Sequence, residues 1–446
     1  MIVAGGAVYT PAGIRDLDVH IRNGRIESLR PWSKPAGGDV VDATSLWVLP
    51  GAIDGHVHGR DPGFPEKEDF GTLTAAAAAG GVTTVLDMPN TLPSVSRGEI
   101  LAAKREAVDA RAHVDYGLWG MLRSSSTEDD VRSLAEAGAV AFKAYLGYAV
   151  RVGTGQVLYT PGVAAEDLEP PAGYGTIARL APALAAAGLP VAAHAEDPSV
   201  LLASAVRVDG YSDLLSSRPA TAEAVAVAAM AALGRSLDLR VHIVHLASRA
   251  GLTSALAGRA AGAQLTLETC PQYLWLSEAD YGRLGAVMKM YPLIRTADDR
   301  QALRDALLAG EIEMVGTDHA PHTDADKLQH PLAEAHAGSP GVQTLLLSCL
   351  ELARQSGDPL RAVPWVTEHP ARIFGLYPRK GAIQVGSDAD LVLVDPSAST
   401  VVTPGAMVSR QRHGALTGLE FSFAIRQVLL RGAPPAPGRG EFLRPA

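Results

Sequence analysis

Six side chains that can bind a divalent metal ion are spread along this chain of 446 residues, each at or just after the end of an apolar segment. Imidazole and carboxylate ligands suit zinc and similar ions. Taken singly, each has an ordinary alternative: a histidine satisfied by hydrogen bonds, an aspartate that caps a helix, or a lysine in a salt bridge. Their shared position favours one common metal site. The six candidates are His56, His58, Lys143, His194, His245 and Asp318.

The spacing of the first two candidates supports a shared ion. The apolar segment 47–54 runs into Gly55-His56-Val57-His58. Side chains at positions i and i+2 of a strand point to the same face, so both imidazoles can reach one ion. The other four candidates end the segments 140–143, 191–194, 241–245 and 314–318.

Lys143 needs a separate explanation, because an ammonium group repels divalent cations strongly in a dry site. Only seven of the 39 basic residues are lysines, so a lysine at the end of a buried strand asks for a reason. A neutral lysine amine can add carbon dioxide and become a carbamate, an anion whose two oxygens can bridge two metal ions. Burial lowers the pKa of a lysine and favours the amine that reacts. We hypothesise that Lys143 is carboxylated and bridges two ions.

Residues this far apart in sequence can converge where parallel strands end on a common rim, as in a (β/α)8 barrel. Between residues 50 and 375, strand segments alternate with helical patterns, and the segments 83–86, 114–118 and 264–267 bring the number of strands to eight. We therefore predict an α/β fold with a (β/α)8 TIM barrel over residues 50–375.

The two ends of the chain have a different pattern. Residues 1–49 and 376–446 contain short strands separated by turns, and Asn23-Gly24 is a strong hairpin signal. We predict that both ends combine into one small β-sandwich domain, with residues 1–49 and 376–446 as its two parts. The tail 432–446 is rich in proline and glycine, and we expect it to be loosely ordered.

The composition narrows the class of partner. The formal net charge is −9 and the pI is about 5.8, with no basic run, which argues against nucleic acid or an anionic membrane surface. We recognise no signal peptide and no apolar run long enough to span a bilayer. The two cysteines, Cys270 and Cys349, make no disulfide framework and fit the reducing cytoplasm.

A long polar stretch, residues 147–176, follows the segment that carries Lys143. Long loops inside compact domains are usually functional or disordered. One interpretation is that Tyr148, Arg151, Tyr159 and Tyr174 close over a substrate. The alternative is a solvated excursion without a role.

Four segments resemble the cyclic amidohydrolases of the amidohydrolase superfamily, and the dihydroorotases most closely. The resemblance covers nearly the whole chain. The segments are 50–63 (PGAIDGHVHGRDPG), 67–70 with 78–91, 316–322 (GTDHAPH) and 386–392 (GSDADLV).

The resemblance implies a centre of two zinc ions on the barrel rim. His56, His58 and Asp318 would bind one ion, and His194 and His245 the other. Carboxylated Lys143 would lie between them.

The resemblance also implies a mechanism, in which the two ions lower the pKa of a shared water toward ~7. Asp318 would take the proton of this water and pass it to the leaving ring nitrogen. Arg60 and Asn90 would hold a substrate carboxylate, and His322 would hydrogen-bond the substrate. The alternative for Arg60 is a salt bridge to Asp61 or Asp87, and Asn90 could stabilise a turn.

Four residues depart from the dihydroorotase pattern around the loops after the last two strands, where the ring is recognised: Gln272, Tyr291, Leu293 and Ala337. The leading expectation is a dihydroorotase that interconverts dihydroorotate and N-carbamoyl-aspartate. Hydantoins, dihydropyrimidines and allantoin are alternative substrates, and a non-catalytic scaffold is a further alternative. Relatives form dimers or tetramers, so the resemblance implies a homo-oligomer.

Overall fold

Alternation of strand and helix dominates the middle of the chain in the computed structural model, which describes residues 1–32, 38–158 and 166–446. The strands are β1 (Ile2–Thr10), β2 (Gly13–Arg22), β3 (Arg25–Pro31), β4 (Val40–Asp42), β5 (Trp47–Pro50), β6 (Ala52–Val57), β7 (Val82–Asp87), β8 (Asp115–Leu118), β9 (Gly120–Met121), β10 (Phe142–Tyr145), β11 (Ala149–Arg151), β12 (Val157–Leu158), β13 (Leu168–Glu169), β14 (Val191–His194), β15 (Val241–Ile243), β16 (Leu265–Thr269), β17 (Met314–Val315), β18 (Leu391–Asp395), β19 (Thr400–Val401), β20 (Glu420–Phe421) and β21 (Ala424–Leu429).

Most of the helices lie between these central strands. They are α1 (Phe70–Ala79), α2 (Gly98–Val108), α3 (Glu128–Ala137), α4 (Tyr174–Ala187), α5 (Pro198–Ala203), α6 (Tyr211–Ser217), α7 (Ala220–Leu237), α8 (Arg249–Ala260), α9 (Pro271–Trp275), α10 (Tyr281–Leu284), α11 (Ala297–Ala309), α12 (Asp324–Leu328), α13 (Leu345–Gln355) and α14 (Glu368–Ile373). Local chemistry sets their ends: α3 begins with a capping box between Thr127 and Asp130 and ends at Gly138, whose φ of 97° is left-handed.

Two parallel sheets occupy the middle of the chain. One has the order β17-β16-β15-β14-β10-β9, and the other has the order β6-β7-β8. Only Trp119 separates β8 from β9, and its backbone N–H donates to the Asp87 carbonyl at 3.1 Å. At the other two edges, a parallel bridge joins Val57 at the end of β6 to His319 beyond β17. The prediction of an α/β fold with parallel central strands is confirmed.

The predicted first strand, 47–54, is divided between two sheets. Trp47–Pro50 forms β5 in the terminal sheet, and the chain then enters the central sheet as β6. Gly51 lies at the passage, where a Cβ atom would stand 2.0 Å from the Thr83 hydroxyl oxygen. No side chain larger than hydrogen fits there, so glycine permits the change of sheet.

Both ends of the chain contribute to one mainly antiparallel sheet of seven strands. Its order is β21-β18-β5-β1-β2-β3, and β4 pairs with β1. Its side chains form a separate apolar cluster that includes Val8, Val19, Val48 and Leu391. The alternation of apolar and polar residues in the strands explains the sheet, because it directs one face toward this cluster.

The tail does not behave as its composition predicts. The Tyr116 N–H donates to the Glu441 carbonyl at 3.0 Å, and the Leu443 N–H donates to the Tyr116 carbonyl at 2.7 Å. Leu443 is buried, and Phe442 packs against Tyr116. The expectation of a loosely ordered tail is wrong, because these two apolar residues dock it beside the start of β8 despite the surrounding prolines and glycines.

One segment bears on the expectation that no apolar run is long enough to span a bilayer. Tyr211–Leu237, which contains α6 and α7, is long and apolar enough to cross a bilayer by length and composition alone, with a mean hydropathy of 1.2 over its best window. Helix α7 within it packs against α4 and α8, and Ala226, Val227 and Met230 are fully buried. Such packing is typical of a core helix, which passes the same test of length and composition.

Candidate active site

The six predicted ligand side chains line one cavity, although they come from six separate segments. The cavity has a volume of about 30 Å³ and lies where the central parallel strands end. The sequence placed Lys143 at a strand end, whereas it is the second residue of β10. The other five residues lie at the end of their strand or shortly after it.

His56, His58 and Asp318 form the first half of the cluster. Asp318 Oδ1 lies 3.1 Å from His58 Nε2 and 3.4 Å from His56 Nε2. One potential ligand atom from each of the three residues lies within 4.8 Å of the other two. Burial lowers the pKa of His58 to about 4, so its imidazole is neutral at pH 7 and keeps a lone pair for a metal.

His194 and His245 form the second half, with His194 Nδ1 3.0 Å from His245 Nε2. Lys143 is buried beside them, and its ammonium nitrogen lies 5.4 Å from the centre of the Tyr145 ring. Burial lowers the pKa of Lys143 to about 8, despite the opposing charges of Asp318 and Glu268. A larger fraction of this amine is therefore neutral at pH 7 than for an exposed lysine.

Two glutamates that the sequence analysis missed hold the histidine rings. Glu268 Oε1 lies 2.8 Å from His56 Nδ1 and accepts from the His245 backbone N–H at 3.1 Å. Glu196 Oε2 lies 2.8 Å from His194 Nε2. A carboxylate on the far nitrogen of an imidazole fixes the ring and its tautomer, as in many metal sites. A sequence signal existed for Glu196, which stands two residues after His194.

Several buried polar atoms of the cluster lack a hydrogen-bond partner within the described residues. They are His56 Nε2, His245 Nδ1 and Lys143 Nζ. Buried polar groups without partners are uncommon and costly, so each needs an explanation. Nitrogen donors that converge on a small cavity with a carboxylate fit the ligand requirements of a divalent ion.

The backbone is strained at three of the predicted residues. Arg60, His245 and Asp318 have φ values of 59°, 42° and 50°. Residues other than glycine rarely adopt this left-handed region, and such strain concentrates at functional sites. Each of them follows a central strand, and its side chain lines the cavity.

Asp318 is the predicted general base. Burial alone would raise the pKa of its carboxyl, but His56 and the hydrogen bond from His58 outweigh burial and lower the pKa. The carboxyl is therefore ionised at neutral pH and can accept a proton.

The three predicted substrate-binding residues line a second, outer cavity of about 350 Å³. Arg60 Nη2 lies 3.2 Å from His322 Nε2. The alternative salt bridges of Arg60 are taken by other residues, because Asp61 pairs with Arg111 and Asp87 pairs with Lys104. A further contact, absent from the expectation, joins Asn90 Oδ1 to His58 Nδ1 at 2.7 Å.

Two of the four residues that depart from the dihydroorotase pattern line these cavities. Gln272 is buried and donates from Nε2 to the Thr317 carbonyl at 3.1 Å. Tyr291 and Ala337 line both cavities, whereas Leu293 lies in the apolar core. Two of the four departures therefore stand at the walls of the cavity that the predicted ligands line.

The stretch 147–176 contains β11, β12 and β13, which form a small sheet. The Tyr148 hydroxyl lies 2.9 Å from His194 Nε2, whereas Arg151 forms an ion pair with Asp167 at the surface. The Tyr174 hydroxyl donates to Asp197 Oδ2 at 3.0 Å. Tyr159 lies outside the described residues. Of the described members of this group, Tyr148 reaches the predicted ligands.

Comparison with known proteins agrees with this architecture. An allantoinase of Streptomyces avermitilis is 36% identical over 450 residues, covering 100% of this chain and 97% of the relative. A dihydroorotase of Pelotomaculum thermopropionicum is 32% identical and covers 94% of each chain. The solved structure of an L-hydantoinase (dihydropyrimidinase) from Arthrobacter aurescens aligns with a TM-score of 0.90 at 26% identity, over 99% of this chain and 98% of that one.

The family comparison covers most of the chain. The model of the amidohydrolase family matches residues 47–434, which include every predicted ligand and both cavities. This match and the full-length relatives confirm the resemblance that the sequence motifs indicated, and the chain belongs to the amidohydrolase family.

Proposed function

We propose that this chain is a metal-dependent enzyme that hydrolyses the ring amide of allantoin. That it is a hydrolase of cyclic amides follows from its family and its relatives. The observation that carries the catalytic proposal is the convergence of six ligand side chains with unpartnered buried nitrogens on one cavity. A scaffold without activity would have no need to keep such costly groups in place.

The proposed centre holds two divalent ions, with zinc as the proposed metal. His56, His58 and Asp318 would bind one ion, and His194 and His245 the other. Lys143, converted to a carbamate by carbon dioxide, would bridge them. The lowered pKa of Lys143 supports this conversion, because the neutral amine is the form that reacts.

The chemistry divides between the ions and the side chains. When bound, the ions would polarise the ring carbonyl and lower the pKa of water, as hydrolysis of a stable amide requires. Asp318 accepts the proton of the attacking water and delivers it to the leaving nitrogen, which keeps the proton count balanced. Glu268 and Glu196 keep the histidine rings oriented throughout.

Allantoin replaces dihydroorotate as the leading substrate. The relatives from Streptomyces avermitilis and Solibacter usitatus, 36% and 34% identical, are both named allantoinase. Asn90 also contacts His58, a role that requires no substrate carboxylate. Dihydroorotate is the second candidate, because the Arg60 guanidinium lines both cavities and guanidinium binds carboxylates well. His322 in the outer cavity would hydrogen-bond either ring.

A substrate panel tests the proposal. The zinc-loaded protein is assayed with allantoin, dihydroorotate, hydantoin and dihydrouracil, and we expect the highest kcat/KM for allantoin. A preference for dihydroorotate over allantoin would restore the original expectation. Absence of turnover on all four rings, with two zinc ions bound per chain, would contradict the function itself.

The finer architecture belongs to the same proposal. We infer that the two central sheets close into one (β/α)8 barrel over residues 50–375, since Trp119 and the Val57–His319 bridge join them at both edges. Residues 1–49 and 376–446 would form the β-sandwich domain. A homo-oligomer in the cytoplasm, with no nucleic acid or membrane partner, is the proposed state. The two free buried cysteines support a reducing compartment, and the net charge of −9 argues against a nucleic acid partner.

A further inference from the structure

Two cavities meet at the candidate active site, and they differ greatly in size. The inner cavity, lined by the six proposed ligands, has about 30 Å³, whereas the outer cavity has about 350 Å³. One water needs roughly 10–15 Å³ of such space. The inner cavity is therefore too small for a whole ring, and most of a ring substrate must lie in the outer cavity.

A substrate must therefore pass the residues that line both cavities. They are Arg60, Tyr291 and Ala337, which we call the neck. Tyr291 is the bulkiest of the three, and it stands where dihydroorotases often carry asparagine. Its size makes it the neck residue with the greatest influence on what fits.

The Tyr291 ring is held in place from one side. The guanidinium carbon of Arg218 lies 3.7 Å from the ring centre, which is the distance of a stacked cation–π pair. Arg218 itself is buried, donates to the Tyr148 hydroxyl at 2.7 Å and forms an ion pair with Glu196. Because these partners fix Arg218, the ring of Tyr291 cannot retreat from the neck without losing this contact.

We propose that Tyr291 determines the size of the substrate by restricting the neck to rings with a small substituent. Arg218 is the positioning residue that keeps the tyrosine ring in this place. The inference rests on the proposed hydrolysis of cyclic amides and names its substrate class: small cyclic ureides, such as hydantoin or a ring with a ureido group. Rings with bulky aryl or branched alkyl groups are excluded. Replacement of the tyrosine by a small residue joins the two cavities and removes the restriction.

The test compares Tyr291→Ala with the matched variant Tyr291→Phe, which keeps the ring. Each zinc-loaded protein is assayed with hydantoin and with 5-benzylhydantoin. We expect Tyr291→Ala to raise the ratio of kcat/KM for the benzyl compound to that for hydantoin at least tenfold, through a lower KM. Tyr291→Phe should keep the ratio within twofold of the wild type. The same ratio in all three proteins would contradict the proposal.

A binding measurement separates this inference from the proposed function. The affinity of both compounds for the three zinc-loaded proteins is measured by calorimetry, which needs no turnover, and zinc content is determined for each. If the wild type hydrolyses no cyclic amide, the proposed function fails. The affinities of the variants then test separately whether Tyr291 restricts the neck. Binding of 5-benzylhydantoin at least tenfold tighter to Tyr291→Ala than to Tyr291→Phe supports it. Equal affinities, or no binding to any of the proteins, contradict it.

Discussion

At the scale of single residues, the hydrogen-bond partners of the histidines determine which ring nitrogens face the cavity. His56 Nδ1 lies against Glu268, His58 Nδ1 against Asn90, and His194 Nε2 against Glu196. Each of these rings therefore directs its other nitrogen toward the cluster. The outer partners are part of the site because they set both the tautomer and the angle of each ring.

Glu268→Gln tests this role of the outer partners. Glutamine has nearly the same volume as glutamate but carries no charge. The charge belongs to the carboxylate that contacts His56 and accepts from the His245 backbone N–H. We expect zinc affinity to fall by about 10–100-fold, measured by competition with a chelator. Glu313→Gln is the matched control, because that glutamate is partly exposed and pairs with Arg259 away from the site. An affinity equal to that of the control would remove Glu268 from the site.

Lys143→Ala tests the proposed bridge. We expect loss of one or both zinc ions and a fall in kcat of more than about 100-fold, larger than the loss of an outer partner. Short carboxylic acids such as acetate should restore part of the activity, because a carboxylate can occupy the place of the carbamate. Metal analysis and assays with and without acetate check this, and the wild type with acetate is the control. Full zinc content and activity without acetate would refute the bridge.

At the scale of elements, the sequence predicted which segments carry the ligands better than it predicted how they pair. The apolar runs that end in His194 and His245 became β14 and the segment around β15, because buried parallel strands read as continuous apolar runs. The contact of Glu268 with His56 could not be predicted from the sequence, because it depends on how two strands far apart in the chain are placed relative to each other. The prediction of a loosely ordered tail was wrong because it relied on the proline and glycine content and gave no weight to the apolar residues Phe442 and Leu443.

Leu443→Ala tests whether the tail is an integral element. Leu443 is 1% exposed, and truncation of a leucine in such a place costs about 2–5 kcal/mol. We expect a lower Tm, measured by thermal unfolding, with little change in kcat at 25 °C. Leu328→Ala is the control, since Leu328 is 44% exposed. Equal Tm values for the two variants would mean that the tail contributes nothing.

At the scale of the whole molecule, a buried ion cluster joins the central and terminal sheets. The Lys380 ammonium contacts Asp115 at the start of β8, Asp388 at 2.9 Å and Asp390 at 2.6 Å just before β18. Arg431 also contacts Asp115. Because Lys380 forms ion pairs with carboxylates from both sheets, it couples the stability of the central sheet to that of the terminal sheet.

Lys380→Met leaves these carboxylates without their shared partner. Removal of one member of a buried ion pair costs about 3–5 kcal/mol. In the wild type Lys380 lowers the pKa of Asp388 below its usual 3.8, so this stabilisation is still present at pH 4.5. In the variant burial acts without Lys380 and raises the pKa of the carboxyl, so at pH 4.5 the carboxyl takes up a proton and the cost of its buried charge falls. We therefore expect the difference in Tm from the wild type to be larger at pH 7.5 than at pH 4.5.

Arg379→Gln is the comparison for this prediction. Arg379 pairs with the same Asp388 at 2.8 Å, but its side chain is 41% exposed. Solvent screens an exposed ion pair, so the Tm of Arg379→Gln should fall much less at pH 7.5 than that of Lys380→Met. A difference in Tm for Lys380→Met that is equal at both pH values would show that the cluster is not electrostatic in origin.

The left-handed backbone at Arg60, His245 and Asp318 has a consequence for how the enzyme matures. An unfolded chain avoids such conformations, and they persist only where neighbouring strands enforce them. The proposed metal site therefore forms only once the polypeptide has folded. Under the proposed function, chains made without metal would fold but stay inactive until metal is added.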